Sequence, residues 1–154
     1  MDFVHVELKK ENWFKPYSEI NKPEDAVNFI KNVIKDLDKE ILIVINLSVK
    51  GQVINASICS IGTIDRTITS IVEILKTSIF SGSNRIILIH NHPSGYSKAS
   101  QDDLILTKRL YNAARLLDIE LVDHIIIGSY DMYSIRKYHD ECFKGDLIIQ
   151  LMLN

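Results

Sequence analysis

The sequence predicts a layered α/β (α+β) fold, on three observations. Short Val-, Ile- and Leu-rich runs have the length of buried strands. Segments with helical apolar spacing lie between them, and Gly- or Pro-bearing turns sit at the junctions.

Taken in order, residues 2–9 alternate weakly through Phe3, Val4, Val6 and Leu8, which fits an edge strand. Glu11 to Lys22 then reads as extended, so that residues 1–22 form a lead-in. Pro23 opens a helix in which Ala26, Phe29, Ile30, Val33, Ile34 and Leu37 recur at helical spacing. "ILIVINL" is a strand buried on both faces, and the "SVKGQ" turn with Gly51 joins it to "VINASICSI" in a hairpin. Ser70 starts a second helix with Ile71, Ile74, Leu75 and Ile79 directed inward, and Gly82 ends it. "RIILI" is the next core strand and runs into His90. Ser100 starts a third helix, with Leu106, Leu110, Ala113 and Leu117 on one face. "IELVDHIII" is a further strand, turned at Gly128 into a short "MYSI" strand. Periodicity leaves the tail "DLIIQLML" open between strand and helix.

The 154 residues, 46% hydrophobic and 25% charged, are enough for one domain spanning 1–154 with a core that needs no disulfides. A net charge of −2 gives no basic footprint for nucleic acid. Cys59 and Cys142 stand apart without a Cys-x-x-Cys pair, so no thiolate metal site or disulfide framework is expected. No apolar run approaches the roughly 18 residues of a membrane span, and "MDFVHVELKKE" does not read as a signal peptide. No membrane partner is therefore expected, and the cytoplasm is the default compartment.

The segment "ILIHNHPSGYSKASQDD" carries the chemistry. Residues two apart on a strand share a face, so His90 and His92 converge if the strand persists. Pro93 and Gly95 open a loop, and Ser100 begins a helix with Asp103 in its first turn. Two imidazole nitrogens and a carboxylate suit zinc, with a fourth position left for water. A competing reading is purely local: Ser100 and Asp103 at capping-box spacing, Pro93-Ser94-Gly95 as a turn, and two ordinary loop histidines. The ordered combination of His-x-His-Pro, a spacer and Ser-x-x-Asp favours the metal reading over turn chemistry alone.

"HNHPSGYSKASQDD" resembles the metal-binding signature of the JAMM (JAB/MPN-type) metalloprotease domain. "NKPEDAVNFI", "LDKEILIVINL", "IGTI", "RIILIHNHPSG" and "LLDIELVDHIIIG", in that order, resemble the RadC-like family. The likeness runs from about Val6 to Ile135 and leaves residues 138–154 as an unmatched C-terminal extension. It implies a curved mixed β-sheet flanked by helices, with zinc held by His90, His92 and Asp103. Ser100 matches the serine that supports the attacking water and the developing oxyanion. Glu40 stands between a helix and the first core strand, where the pattern places its catalytic glutamate. Its competitor Glu73 sits at Ser-x-x-Glu spacing after Ser70, which a capping box would explain. Glu40 is therefore the expected acid/base.

Asp123 and His124, on opposite faces of their strand, are each candidates to support a metal ligand, although a satisfied core residue is the default for His124. Gly62-Thr63 is expected to bend near the site, with Thr63 a candidate substrate contact. Departures from the family pattern are Ser48 where an aspartate is usual, and a "SGYSKAS" loop without the usual prolines. The helix-hairpin-helix region that often precedes this domain has no counterpart in the sequence.

Three functions follow as expectations. The first is a zinc-dependent hydrolase, metallopeptidase- or isopeptidase-like, that cleaves an amide in a peptide or protein. The second is a DNA-repair or nucleic-acid-processing role, which the charge does not support. The third is a non-enzymatic interaction module. The apolar end of the tail is a candidate for pairing with a sheet edge in the same molecule or in a second copy.

Overall fold

The computed structural model describes residues 7, 9, 19–34, 39–62 and 70–145, apart from the side chains of residues 32 and 33. The expected N-terminal strand, Leu37, Thr63, the "DLIIQLML" tail and any contact made through it lie outside the described residues.

The elements run α1 (Pro23–Ile34), β1 (Ile41–Leu47), β2 (Val53–Ile61), α2 (Ile71–Phe80), β3 (Arg85–Asn91), α3 (Gln101–Arg115), β4 (Glu120–Ile127), β5 (Met132–Ser134) and α4 (Ile135–Tyr138), with a 3-10 turn at Asp140–Phe143. The five strands form one mixed sheet in the order β2-β1-β3-β4-β5. All neighbours are antiparallel except β3 and β4, which are parallel and joined through α3. This is the α/β layered architecture that the apolar runs predict.

Pleat alternation divides the core into two layers. Leu42 and Val44 of β1, with Ile86 and Leu88 of β3, pack towards α2 and α3. Ile41, Ile43 and Ile45, with Ile87 and Ile89, pack with Ala26 and Ile30 of α1 on the other face. Every residue of β1 is buried, as expected of a strand covered on both sides. Cys142 and Phe143, within the C-terminal extension, join the layer beside α3.

Two residues expected to face inward do not. Ile79 is 54% exposed, because the buried stripe of α2 is Ile74, Leu75 and Ser78, and the last turn carries Ile79 off it. Leu117 is 49% exposed because α3 has already ended. The helix closes with Ile119 N–H on the Ala114 carbonyl and Asp118 N–H on that of Arg115, which puts Asp118 at φ 56°. Ala113 is only half-buried. The "MYSI" strand stops at Ser134, whose side chain accepts the Lys137 N–H and caps α4.

Leu88, fully buried in the central strand, should on Leu88→Ala cost about 2–5 kcal/mol. Leu117→Ala should stay within about 0.5 kcal/mol. Urea midpoints at unchanged slope check both.

Candidate metal centre

The site forms where the C-terminal end of β3 meets the start of α3. Strand pairing continues past Asn91, since the His92 N–H donates to the Ile127 carbonyl at 2.9 Å. His90 and His92 therefore both face the α3 layer. Leu42 of β1 lies opposite His90, so the same alternation turns Glu40 towards this face. His92, Pro93, Ser94 and Gly95 form a turn closed by the Gly95 N–H on the His92 carbonyl. Gly95 adopts φ +84°, and a Cβ there would lie 2.5 Å from Ser129 Oγ, so only glycine suits the place. A further bond from Ser129 N–H to the Gly95 carbonyl pins this loop to the one after β4.

Four side chains converge. Nε2 of His90 lies 3.0 Å from Nε2 of His92 and 3.1 Å from Oδ1 of Asp103. Oδ2 of Asp103 is 3.5 Å from Nε2 of His92, and Oε1 of Glu40 is 3.9 Å from Nε2 of both histidines. Glu40, His90 and His92 form a group able to hold a metal ion, with their ligand atoms within 4.8 Å of one another. Asp103 stands closer to the imidazoles than Glu40 and is the more buried carboxylate.

The capping box and the cluster, rival explanations of Ser100 and Asp103, coexist. Ser100 Oγ accepts the Asp103 N–H, while the Ser100 N–H and hydroxyl both donate to Asp103 Oδ2, at 2.7 and 2.6 Å. Oδ1 remains directed at His90. Burial opposes ionisation of Asp103, but the His90 and His92 imidazoles and Ser100 hold its carboxyl well below the usual carboxylate range. The hydrogen bond to Asp103 in turn raises the pKa of His92.

The capping box expected at Ser70 and Glu73 is not formed. Ser70 makes no side-chain cap bond, and the exposed Glu73 pairs with Lys76 at 2.5 Å. Helix capping therefore does not account for Glu73, yet Glu40 is the carboxylate that faces the imidazoles. Asp123 turns away from them, bonded to Ser134 Oγ and to the backbone N–H groups of His124 and Arg136. His124 lies behind His90, its Nε2 at 2.8 Å from Nδ1 of that ring. Burial pushes the Cys59 thiol up to about 12, which keeps it protonated.

Two contributors carry no motif of their own. Asn91 faces away from the imidazoles and clasps the backbone on either side of Glu40, accepting the Ile41 N–H at 2.8 Å and donating to the Lys39 carbonyl at 3.0 Å. Gly62 N–H completes the hold by donating to the Glu40 carbonyl at 2.8 Å. The other is Thr107, four residues after Asp103 on α3, which touches His124. Its helical spacing from Asp103 was the available signal.

A mixed sheet with a helix-start carboxylate and two strand-end imidazoles around one point defines an α/β domain with a candidate metal site. A family model described as "RadC-like JAB domain" matches residues 20–140, and the chain belongs to that family. It is 37% identical over 117 residues to a UPF0758 protein of Desulforamulus reducens, covering 76% of this chain and 52% of the relative. The UPF0758 protein of Clostridium acetobutylicum is 39% identical over 129 residues, covering 80% and 56%. That of Finegoldia magna is 38% identical over 118 residues, covering 77% and 53%. The chain thus spans about half the length of these curated relatives. Among the described residues, no helix is long and apolar enough to cross a membrane.

Asn91→Ala should lower unfolding free energy by about 1–3 kcal/mol, because it leaves the buried Ile41 N–H without its acceptor. Denaturant titration checks this, and an unchanged midpoint would show the clasp to be idle.

Proposed function

We propose that this domain is a zinc-dependent hydrolase that cleaves an amide bond of the peptide or isopeptide type. The observation that carries the reading is the convergence of bare acceptor atoms. His92 Nδ1 donates to the Tyr96 carbonyl at 2.7 Å, so in the neutral ring Nε2 has only a lone pair. That lone pair faces the His90 ring and an ionised Asp103 at 3.0 and 3.5 Å. Acceptors this close repel one another unless a proton or a metal cation lies among them, and two nitrogens with one carboxylate are a donor set that zinc favours. His90, His92 and Asp103 would hold the ion. Bound zinc supplies Lewis-acid chemistry, polarising a carbonyl and making water acidic near neutral pH.

The remaining work falls to the chain. Glu40 stands further back than Asp103 and is the more exposed of the two, which suits a group that exchanges protons with the reactants. It takes a proton from the attacking water and returns it to the leaving nitrogen. The clasp by Asn91 and Gly62 fixes where that carboxylate starts. Ser100 aligns Asp103 through Oδ2. To assist the developing oxyanion, its hydroxyl must turn from that oxygen towards the substrate.

The purified protein should carry about one zinc per chain, lost in His92→Ala, by elemental analysis. With a panel of peptide and isopeptide substrates, Glu40→Gln should lower turnover by about 10²–10⁴-fold while zinc is retained. Glu73→Gln should leave turnover near wild type. Loss of hydrolysis in Glu73→Gln alone would sink the assignment of Glu40, and zinc without hydrolysis across the panel would favour an interaction module.

A further inference from the structure

The inference rests on the metal-centre reading and concerns how His90 is prepared for it. Thr107, His124 and His90 are fully buried and touch in succession behind the site. Thr107 Oγ1 lies 2.6 Å from the Asp103 carbonyl oxygen and 2.6 Å from Nδ1 of His124. A hydroxyl has one hydrogen, and a carbonyl can only accept. The hydrogen therefore goes to Asp103, and the Thr107 oxygen must accept from His124 Nδ1–H. A fully buried imidazole is neutral and carries one hydrogen, which Nδ1 of His124 already holds, so its Nε2 carries only a lone pair. Nδ1 of His90, at 2.8 Å, must then supply the hydrogen between the two rings. A neutral His90 with its proton on Nδ1 leaves Nε2 bare, and Nε2 is the atom that faces His92 and Asp103.

We infer that Thr107 and His124 are positioning residues that lock His90 in the Nδ1–H tautomer and present its Nε2 lone pair to a divalent cation. The chain starts and ends on α3: Asp103 offers its carboxylate to the site and its carbonyl to Thr107, so one helix turn sets both a ligand and the tautomer of another. His124 is thus more than a satisfied core residue.

Long-range proton–nitrogen NMR spectra of the metal-free protein at neutral pH read the tautomers directly. His90 and His124 should both be Nδ1–H forms, whereas free histidine favours the other. Thr107→Val keeps the shape and removes the acceptor. Both rings should then shift towards Nε2–H, and zinc affinity, measured by competition with a chromophoric chelator, should fall about 10- to 100-fold. Thr107→Ser keeps the hydroxyl and should restore both readouts. A role in packing alone would lower thermal stability in Thr107→Val without moving the tautomers. An Nε2–H form of His90 in the wild type, or wild-type tautomers and affinity in Thr107→Val, would overturn the inference. If both rings show Nδ1–H in a wild-type protein that takes up no zinc, the metal centre falls while the tautomer assignment stands.

Discussion

The Asp103 carboxylate is held in two directions, and the site depends on that. One oxygen is fixed by the N–H and hydroxyl of Ser100, so the carboxylate belongs to the first turn of α3 as a cap does. The other points across to the end of β3 and meets His90. Either bond alone would be ordinary. Together they couple the local chemistry of a helix start to the position of a strand in the middle of the sheet. The helix N-terminus also favours a negative charge there, which adds to the pull of the imidazoles.

The second constraint is the pleat of β3. His90 and His92 look into the α3 layer, while Asn91 between them looks the other way and grips the backbone around Glu40. Three consecutive residues thus serve both faces: two form the cluster and the third seats the carboxylate approaching from β1. The antiparallel register of β1 with β3 brings Glu40 to the same end of the sheet. Behind His90, β4 contributes His124 because its parallel register sets His124 beside Leu88, one step within reach of the His90 ring. The site is built where three strands and one helix start align.

The sequence made much of this legible, for identifiable reasons. Apolar runs such as "ILIVINL" and "RIILI" mark buried strands because both faces are covered, and Gly51 marks the hairpin turn. The histidine pair and Asp103 were readable because strand period and helix-start spacing are local properties. What depended on tertiary pairing was not. Asn91 and Thr107 are common polar residues whose partners are set by register and helix packing. Ser70 and Glu73 have the spacing of a capping box, but spacing does not create the bond, and Glu73 joins Lys76 instead. Ile79 and Leu117 keep the apolar spacing yet lie exposed, because periodicity does not say where a helix stops contributing to the core.

The alternating sidedness of β3 also bears on how the gene can vary. Adding or deleting one codon between Leu88 and His90 would move each later side chain of the strand to the opposite side of the sheet. Imidazoles would be driven into the oily layer under α1, and an amide would take the place of a ligand. The stretch between Gly95 and Ser100 carries no strand pairing, but its Tyr96 carbonyl still has to reach the His92 ring.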